Sequence, residues 1–295
     1  MKLCRFDNDR LGIVESDHVL DVSGALDAIP PARWPLPIGD PLISHLNDVL
    51  GRARSLAAAA PRRPLAGIRL HAPVANPSKI IGAPINYVAH IDEAKRDSGI
   101  SHGREIKTIG DWGLFLKATS SLIGPSEPVR LRFPERRNDH EIELALVIGK
   151  RGTQIPRARA LEYVCGYTIG LDMTVRGPEL PSFRKSVDTY SVLGPWLVTS
   201  DEIANPNDLD LCLAVNGKIR QQASTRLLDY DCERLVEFAS SFYTLHPGDV
   251  IMTGTPAGVG PVQPGDVIVA EVTGVGRMEV RVMADRPEPA VSPAV

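Results

Sequence analysis

Glu141 and Glu143 stand two apart at the head of Asp139-His140-Glu141-Ile142-Glu143-Leu144-Ala145-Leu146-Val147-Ile148-Gly149, a run that otherwise reads as a buried strand. Side chains alternate faces along a strand, so both carboxylates point one way while Ile142, Leu144, Leu146 and Ile148 point the other. Like charges side by side repel, and a buried carboxylate needs a partner, so the pair faces either water or a shared cation. A third carboxylate, Asp172, ends the next apolar run. Glu141, Glu143 and Asp172 together form an all-oxygen set suited to a hard divalent metal. On spacing alone, an edge strand with one wet face accounts for the glutamate pair equally well.

Three other segments could contribute chemistry. His90 precedes Glu93 by three residues in Asn86-Tyr87-Val88-Ala89-His90-Ile91-Asp92-Glu93. On a helical turn the two share a face, where the carboxylate can orient the imidazole and raise its basicity, giving a base able to activate water. An exposed turn with a chance ion pair is the alternative. Lys117 ends a buried-looking strand, either as a solvent-facing lysine or as an electrostatic clamp for substrate. Thr253-Gly254-Thr255-Pro256-Ala257-Gly258-Val259-Gly260 follows an apolar strand and combines hydroxyls with glycines that permit close backbone approach. It lacks the Gly-Lys-Ser/Thr of a phosphate-binding loop, and a tight structural turn remains open.

The whole chain narrows the function class. Its 295 residues exceed a typical single domain, and a large domain with a small companion is the natural division. Net charge is −3, with no long basic or acidic block, so nothing marks a nucleic-acid footprint or a polybasic membrane patch. Small-molecule chemistry remains. Cys4, Cys165, Cys212 and Cys232 are scattered without a CxxC pair, which fits reduced thiols. No signal-peptide core and no apolar stretch long enough to cross a bilayer is present, and a soluble cytoplasmic protein is expected.

The elements that must hold these residues are mostly strands. Residues 3–6, 11–14 and 19–22 suggest hairpin-like pairs, followed by prolines 30, 31, 35 and 37 and a short helix from Leu42 through Leu50 that residues 56–60 could extend after a break. Pro73 and Pro77 mark a linker, so a small amino-terminal domain is expected over residues 1–70, with a packing or dimerisation role. From Ile80 onward come strand-like runs at 114–116, 141–148, 164–172, 196–199, 209–215, 250–253, 267–272 and 278–282, separated by Gly, Pro and Asn-Gly turns. Beyond Ile80 few segments read as helices, 157–164 and a long one over 232–245. The fold class is mostly β (α+β), a mixed β-sandwich or roll with few helices, and the catalytic domain spans 71–285. Residues 286–295 form a proline-rich tail expected to be loose.

In order along the chain, Asn86-Tyr87 with His90 and Glu93, Phe115-Leu116-Lys117, Glu141-Ile142-Glu143-Leu144, Gly166-Tyr167 and Leu171-Asp172-Met173-Thr174 follow one another. Lys185-Ser186, Leu193-Gly194-Pro195-Trp196, Val215-Asn216-Gly217 with Gln221, Pro247-Gly248-Asp249 and the 253–260 loop complete the series. From roughly Ile80 to Val282 this set resembles the fumarylacetoacetate hydrolase (FAH) family. The resemblance implies a β fold peculiar to that family, two-fold homodimers, and Mg²⁺ or Mn²⁺ held by Glu141, Glu143 and Asp172. Lys185 would sit beside these carboxylates, His90 and Glu93 would form the water-activating lid dyad, and Tyr87, Arg176, Lys117 and Thr255 would hold substrate. The chain departs from the family pattern at Ala118, at Pro84-Ile85, at Arg176-Gly177 and in the longer stretch between Glu93 and Lys117.

The expected activity is metal-dependent hydrolysis of a C–C bond in acylpyruvate- or fumarylpyruvate-type diketo acids, such as products of aromatic-ring cleavage. An enolate-stabilising site suits two alternatives as well, decarboxylation or isomerisation of an oxaloacetate-like or hydroxymuconate-like acid. A catalytically idle metal- or metabolite-binding protein is the alternative of another class, against which the His90/Glu93 pair argues, since a binder needs the cage but no base.

Overall fold

The computed structural model describes residues 1–285, so the tail expected over 286–295 lies outside the described residues. Strands dominate, as the turn spacing predicts. A 12-stranded mixed sheet runs in the order 62–64, 18–21, 10–15, 2–6, 191–199, 164–172, 142–148, 250–252, 80–82 and 115–117, with two further short strands off this path. Its first strand, Lys2–Phe6, pairs antiparallel with Ser191–Thr199, so the amino-terminal hairpins extend the same sheet that carries the glutamates. A five-stranded sheet, ordered 218–224, 210–215, 267–272, 276–284 and 129–131, packs over one of its faces.

The strand Ile142–Ile148 is buried on both sides, and its alternation distributes residues between two cores. Ile142, Leu144, Leu146 and Ile148 pack with Leu211, Leu213, Ile268, Val280 and helix residues Leu235, Val236 and Ala239. Ala145 and Val147 face the opposite way, onto Val49, Leu50 and Ala53 of the helix Leu46–Ala57. Each fully buried Leu or Ile of such a core contributes about 1.5–3 kcal/mol. A strand covered on both faces has no wet side, and this removes the edge-strand explanation for Glu141 and Glu143.

Element boundaries differ from expectation where capping overrides hydrophobic pattern. The single strand expected over 141–148 is two, Asn138–His140 and Ile142–Ile148, with Glu141 between them where the chain leaves a small three-stranded sheet for the large one. The break expected after Leu50 falls instead at His45. There Asp40 caps the one-turn helix Pro41–Ser44 by accepting from the Ile43 N–H, and the helix Leu46–Ala57 then runs unbroken through Gly51. Residues 157–163 wind as a 3₁₀ helix. The last long helix, Cys232–Phe242, is capped by Asp231 and stops before Leu245 because Tyr243 is extended. No described helix is long and apolar enough to cross a membrane.

Candidate active site

Strand pairing assembles the carboxylates. Ile142 is registered against Leu171, and the Asp172 N–H donates to the Glu141 carbonyl, so Asp172 lies beside Glu141. One ligand oxygen from each of Glu141, Glu143 and Asp172 can be chosen so that all lie within 4.8 Å of one another, and all three side chains are buried.

Cations hold two of the three. Lys185 Nζ donates to Glu141 Oε2 (2.6 Å), to Asp172 Oδ2 and to Thr174 Oγ1 (2.8 Å). Lys117 Nζ donates to Asp172 Oδ1 and to the Tyr190 carbonyl. Arg176 donates from Nη2 to Glu141 Oε1 and from Nε to Asp139 Oδ2, each at 2.7 Å. Burial alone would raise Glu141, but Lys185 and Arg176 outweigh it and hold the carboxyl well below its ordinary range. Burial likewise disfavours a charged Lys185, yet Asp172 and Glu141 raise it on balance.

Glu143 is the exception. Its Oε2 accepts the Gly254 N–H at 2.6 Å, its other oxygen has no hydrogen-bond donor among the described residues, and the side chain lines a cavity. Burial, reinforced by repulsion from Asp172, pushes it well above the usual carboxylate range. A hard-oxygen cluster with one carboxylate short of positive charge fits a divalent cation, which would supply the missing charge.

The base is positioned from another direction. The helix Val88–Arg96 carries His90 and Glu93 on one face, with His90 Nδ1 2.8 Å from Glu93 Oε2. The carboxylate can only accept, so the imidazole proton sits on Nδ1 and the Nε2 lone pair is free toward the cavity that His90 lines. Glu93 is pinned in turn, its Oε1 accepting the Gly258 N–H at 2.9 Å. Gly254 and Gly258 both hold positive φ, +98° and +99°, where L side chains are strained, and a Cβ on Gly258 would lie 2.0 Å from the Arg220 carbonyl oxygen. The glycines of the 253–260 loop thus approach two acids with their N–H groups.

A cavity of about 860 Å³ joins these parts. His90, Glu141, Glu143, Arg176, Lys185 and Thr255 line it, under a cover from the lid segment 100–107. Two expected substrate contacts stand apart from its wall. Lys117 is fully buried and spent on Asp172 and Tyr190. Tyr87 is buried with a hydroxyl that has no partner, pushed above its usual range by burial and by Glu143. Arg176 lines the cavity, but Nε and Nη2 are already committed to Asp139 and Glu141.

Residues to which the sequence assigns no separate role support the site. Asp139 accepts from Arg176 and also from Arg137, whose Nη1 donates to Asp97 on the lid at 2.8 Å. Asn86 bridges the Thr253 carbonyl and Tyr230, fastening the start of the lid helix to the glycine loop. Gln221, on the strand Lys218–Ser224, accepts from His140 Nδ1 (3.0 Å) and Ile142 N–H (3.2 Å), and donates to Thr255 Oγ1 (2.7 Å) and the Pro256 carbonyl (2.8 Å). Only an adjacent arginine pair and an acid two residues before Glu141 hinted at the first network.

A buried three-carboxylate cage facing a histidine–glutamate base across one cavity, on this arrangement of mixed sheets, defines a divalent-metal-dependent hydrolase. The chain belongs to the fumarylacetoacetate hydrolase family, whose model, fumarylacetoacetate (FAA) hydrolase C-terminal, matches residues 79–283. It is 57% identical over 284 residues to the maleylpyruvate hydrolase of Aquipseudomonas alcaligenes, covering 96% of this chain and 99% of that one. A crystal structure of maleylpyruvate hydrolase from Sphingobium sp. SYK-6, in complex with manganese(II) and pyruvate, superposes with TM-score 0.82 at 40% identity, covering 97% of this chain and all of that chain. The human mitochondrial oxaloacetate tautomerase FAHD2A is 35% identical over 236 residues, 76% of this chain and 72% of that protein.

Proposed function

We propose that the protein hydrolyses acylpyruvates of the maleylpyruvate kind, splitting R–CO–CH₂–CO–COO⁻ and water into a carboxylic acid and pyruvate. The observation that carries this reading is the His90 Nε2 lone pair facing, across one cavity, a carboxylate cage that lacks positive charge at Glu143. A metal-binding protein without catalysis has no use for such a base.

Glu141, Glu143 and Asp172 would hold Mg²⁺ or Mn²⁺, which supplies Lewis acidity at the α-keto acid end of the substrate. His90 takes a proton from water through Nε2 while Glu93 stabilises the resulting imidazolium, and the hydroxide attacks the carbonyl of the acyl group. The bond between that carbonyl carbon and the methylene breaks, its electron pair passing into the pyruvate enolate. The His90 imidazolium can return its proton to the methylene carbon. Lys185 and Lys117 hold Asp172 in place, Lys185 and Arg176 keep Glu141 ionised, and Thr255 offers its hydroxyl at the cavity wall.

The test is pyruvate release from maleylpyruvate by the Mg²⁺-loaded protein, followed by coupling to NADH oxidation. No pyruvate from this or any other acylpyruvate overturns the reading. The likeness to an oxaloacetate tautomerase keeps one rival in play, and product analysis separates it: a shifted keto–enol equilibrium with no C–C cleavage would replace hydrolysis.

We also propose a homodimer in the cytoplasm. Leu180 and Phe183, about 70% exposed beside the cavity, support an apolar contact between copies, and the four unpaired cysteines support a reducing compartment. Light scattering on the eluting protein checks the first point, a single-chain mass contradicting it.

A further inference from the structure

Arg184 is a buried guanidinium without an acid. It lies at 7% exposure on the cavity wall, donating from Nε to the Glu179 carbonyl (2.8 Å) and from Nη1 to the Val175 carbonyl (3.3 Å). Nη2 has no hydrogen-bond partner, and no carboxylate lies within ion-pair distance of Arg184 among the described residues. The neighbouring arginines are treated differently. Arg176 bonds Asp139 and Glu141, Arg137 bonds Asp97 and Asp139, and Arg136 grips both oxygens of the Glu179 carboxylate. Glu179 and Asp188, the acids nearest to Arg184 in sequence on either side, are already paired with Arg136 and Arg132.

A second unpaired cation faces the same space. Arg104, on the lid segment, lines the cavity and forms no ion pair among the described residues. Burial first, and then the nearby charges of Arg176 and Arg104, hold the Arg184 guanidinium below its ordinary range. Uncompensated cations in a partly desolvated cavity suit an anion that arrives from outside. The carboxylate cage is spoken for by the metal and the α-keto acid end, and Arg184 touches none of its oxygens.

We infer that Arg184, with Arg104 above it on the lid, is an anion subsite for a terminal carboxylate on the acyl group, making the enzyme selective for dianionic acylpyruvates. This rests on the hydrolase reading above. Arginine suits the task because its planar fork matches a carboxylate, and one free edge is available at Nη2. A merely structural Arg184 would pin the loop between Val175 and Glu179 and affect every substrate alike.

The experiment measures kcat and KM of the Mg²⁺-loaded wild type, Arg184→Gln, Arg184→Lys and Arg104→Gln on maleylpyruvate, which carries a terminal carboxylate, and on acetylpyruvate, which does not. For Arg184→Gln the ratio of kcat/KM between the two substrates should fall roughly 10- to 100-fold, as expected for one charge-assisted hydrogen bond, with most of the change in KM. Arg184→Lys should restore part of that ratio. Arg104→Gln, on a more exposed side chain, should lower it less and covers the case in which Arg184→Gln fails to fold. Equal losses on both substrates, or an unchanged ratio in every variant, overturn the subsite while the hydrolase reading stands. No pyruvate from either substrate with wild type overturns the hydrolase reading and the subsite with it.

Discussion

The carboxylate cage and the base that faces it are built on opposite plans. Glu143 sits in a strand hydrogen-bonded on both sides, and Glu141 and Asp172 stand at the ends of that strand and its neighbour. His90 and Glu93 ride the nine-residue helix Val88–Arg96, which belongs to no sheet and continues into the short helices of the lid. Its few core contacts come from a small cluster of Ala94, Ile100 and Val259, with Ile85 and Ile106 packed against it. Polar ties hold this region down, among them Gly258 to Glu93, Asn86 to the glycine loop and to Tyr230, and Arg137 to Asp97. The cage is thus set before substrate arrives, whereas the base belongs to the part of the molecule most able to open.

That contrast separates the effects of substitution. The largest expected effect is at the base: His90→Ala should cost about 10²–10⁴ in kcat while calorimetry still records Mg²⁺ binding close to wild type. Unchanged turnover would remove the imidazole from the reaction. Next comes Glu143→Gln, which should weaken Mg²⁺ at least about tenfold, the loss expected when a charged ligand of a hard cation becomes neutral.

The same variant carries a pH signature in metal-free protein. With the folded Glu143 raised above its unfolded value, the folded chain holds a proton that the unfolded chain releases, so stability is lost as pH rises. Gln cannot ionise. Glu143→Gln should therefore raise the melting temperature of EDTA-treated protein more at pH 8 than at pH 5, and an equal change at both contradicts the raised carboxyl.

The two glycines sharpen the comparison because one loop serves both sides. Gly254→Ala and Gly258→Ala each place a side chain at positive φ, costing about 1–3 kcal/mol of stability. The first should weaken metal binding by turning an N–H away from Glu143, and the second should lower kcat with the metal titration preserved. Identical profiles would mean that the loop acts as one unit. The smallest effect belongs to Asp97→Asn, about 0.2–1 kcal/mol for a partly exposed pair, read as faster amide exchange confined to residues 97–104.

The cage was legible because it rests on short-range rules. Alternation puts Glu141 and Glu143 on one side, and the apolar run ending in Asp172 needs only antiparallel pairing to arrive beside them. The His90–Glu93 contact follows from one helical turn. Less legible were contacts that close long loops: Gly254 reaches Glu143 across 111 residues, Gly258 reaches Glu93 across 165, and Lys2–Phe6 joins a strand near residue 198. No local pattern encodes those encounters. Lys117 shows the same limit from another side, since a lysine ending a strand can point toward substrate or toward a buried acid, and neighbouring strands decide which. The Pro84-Ile85 departure proved informative, for Ile85 holds φ +48°, a conformation that glycine adopts without strain.

Gln221 carries a consequence for polarity inside the cavity. The Ile142 N–H can only donate and the Pro256 carbonyl can only accept, so the Gln221 amide has one permitted orientation. Its NH₂ therefore occupies a lone pair of Thr255, and the threonine proton is left to point at whatever oxygen enters. A strand of the five-stranded sheet thereby makes a wall hydroxyl a donor to the ligand. In Gln221→Glu an acceptor would stand where that donor stands, the hydroxyl would turn round, and an incoming keto acid would meet lone pairs in place of a proton.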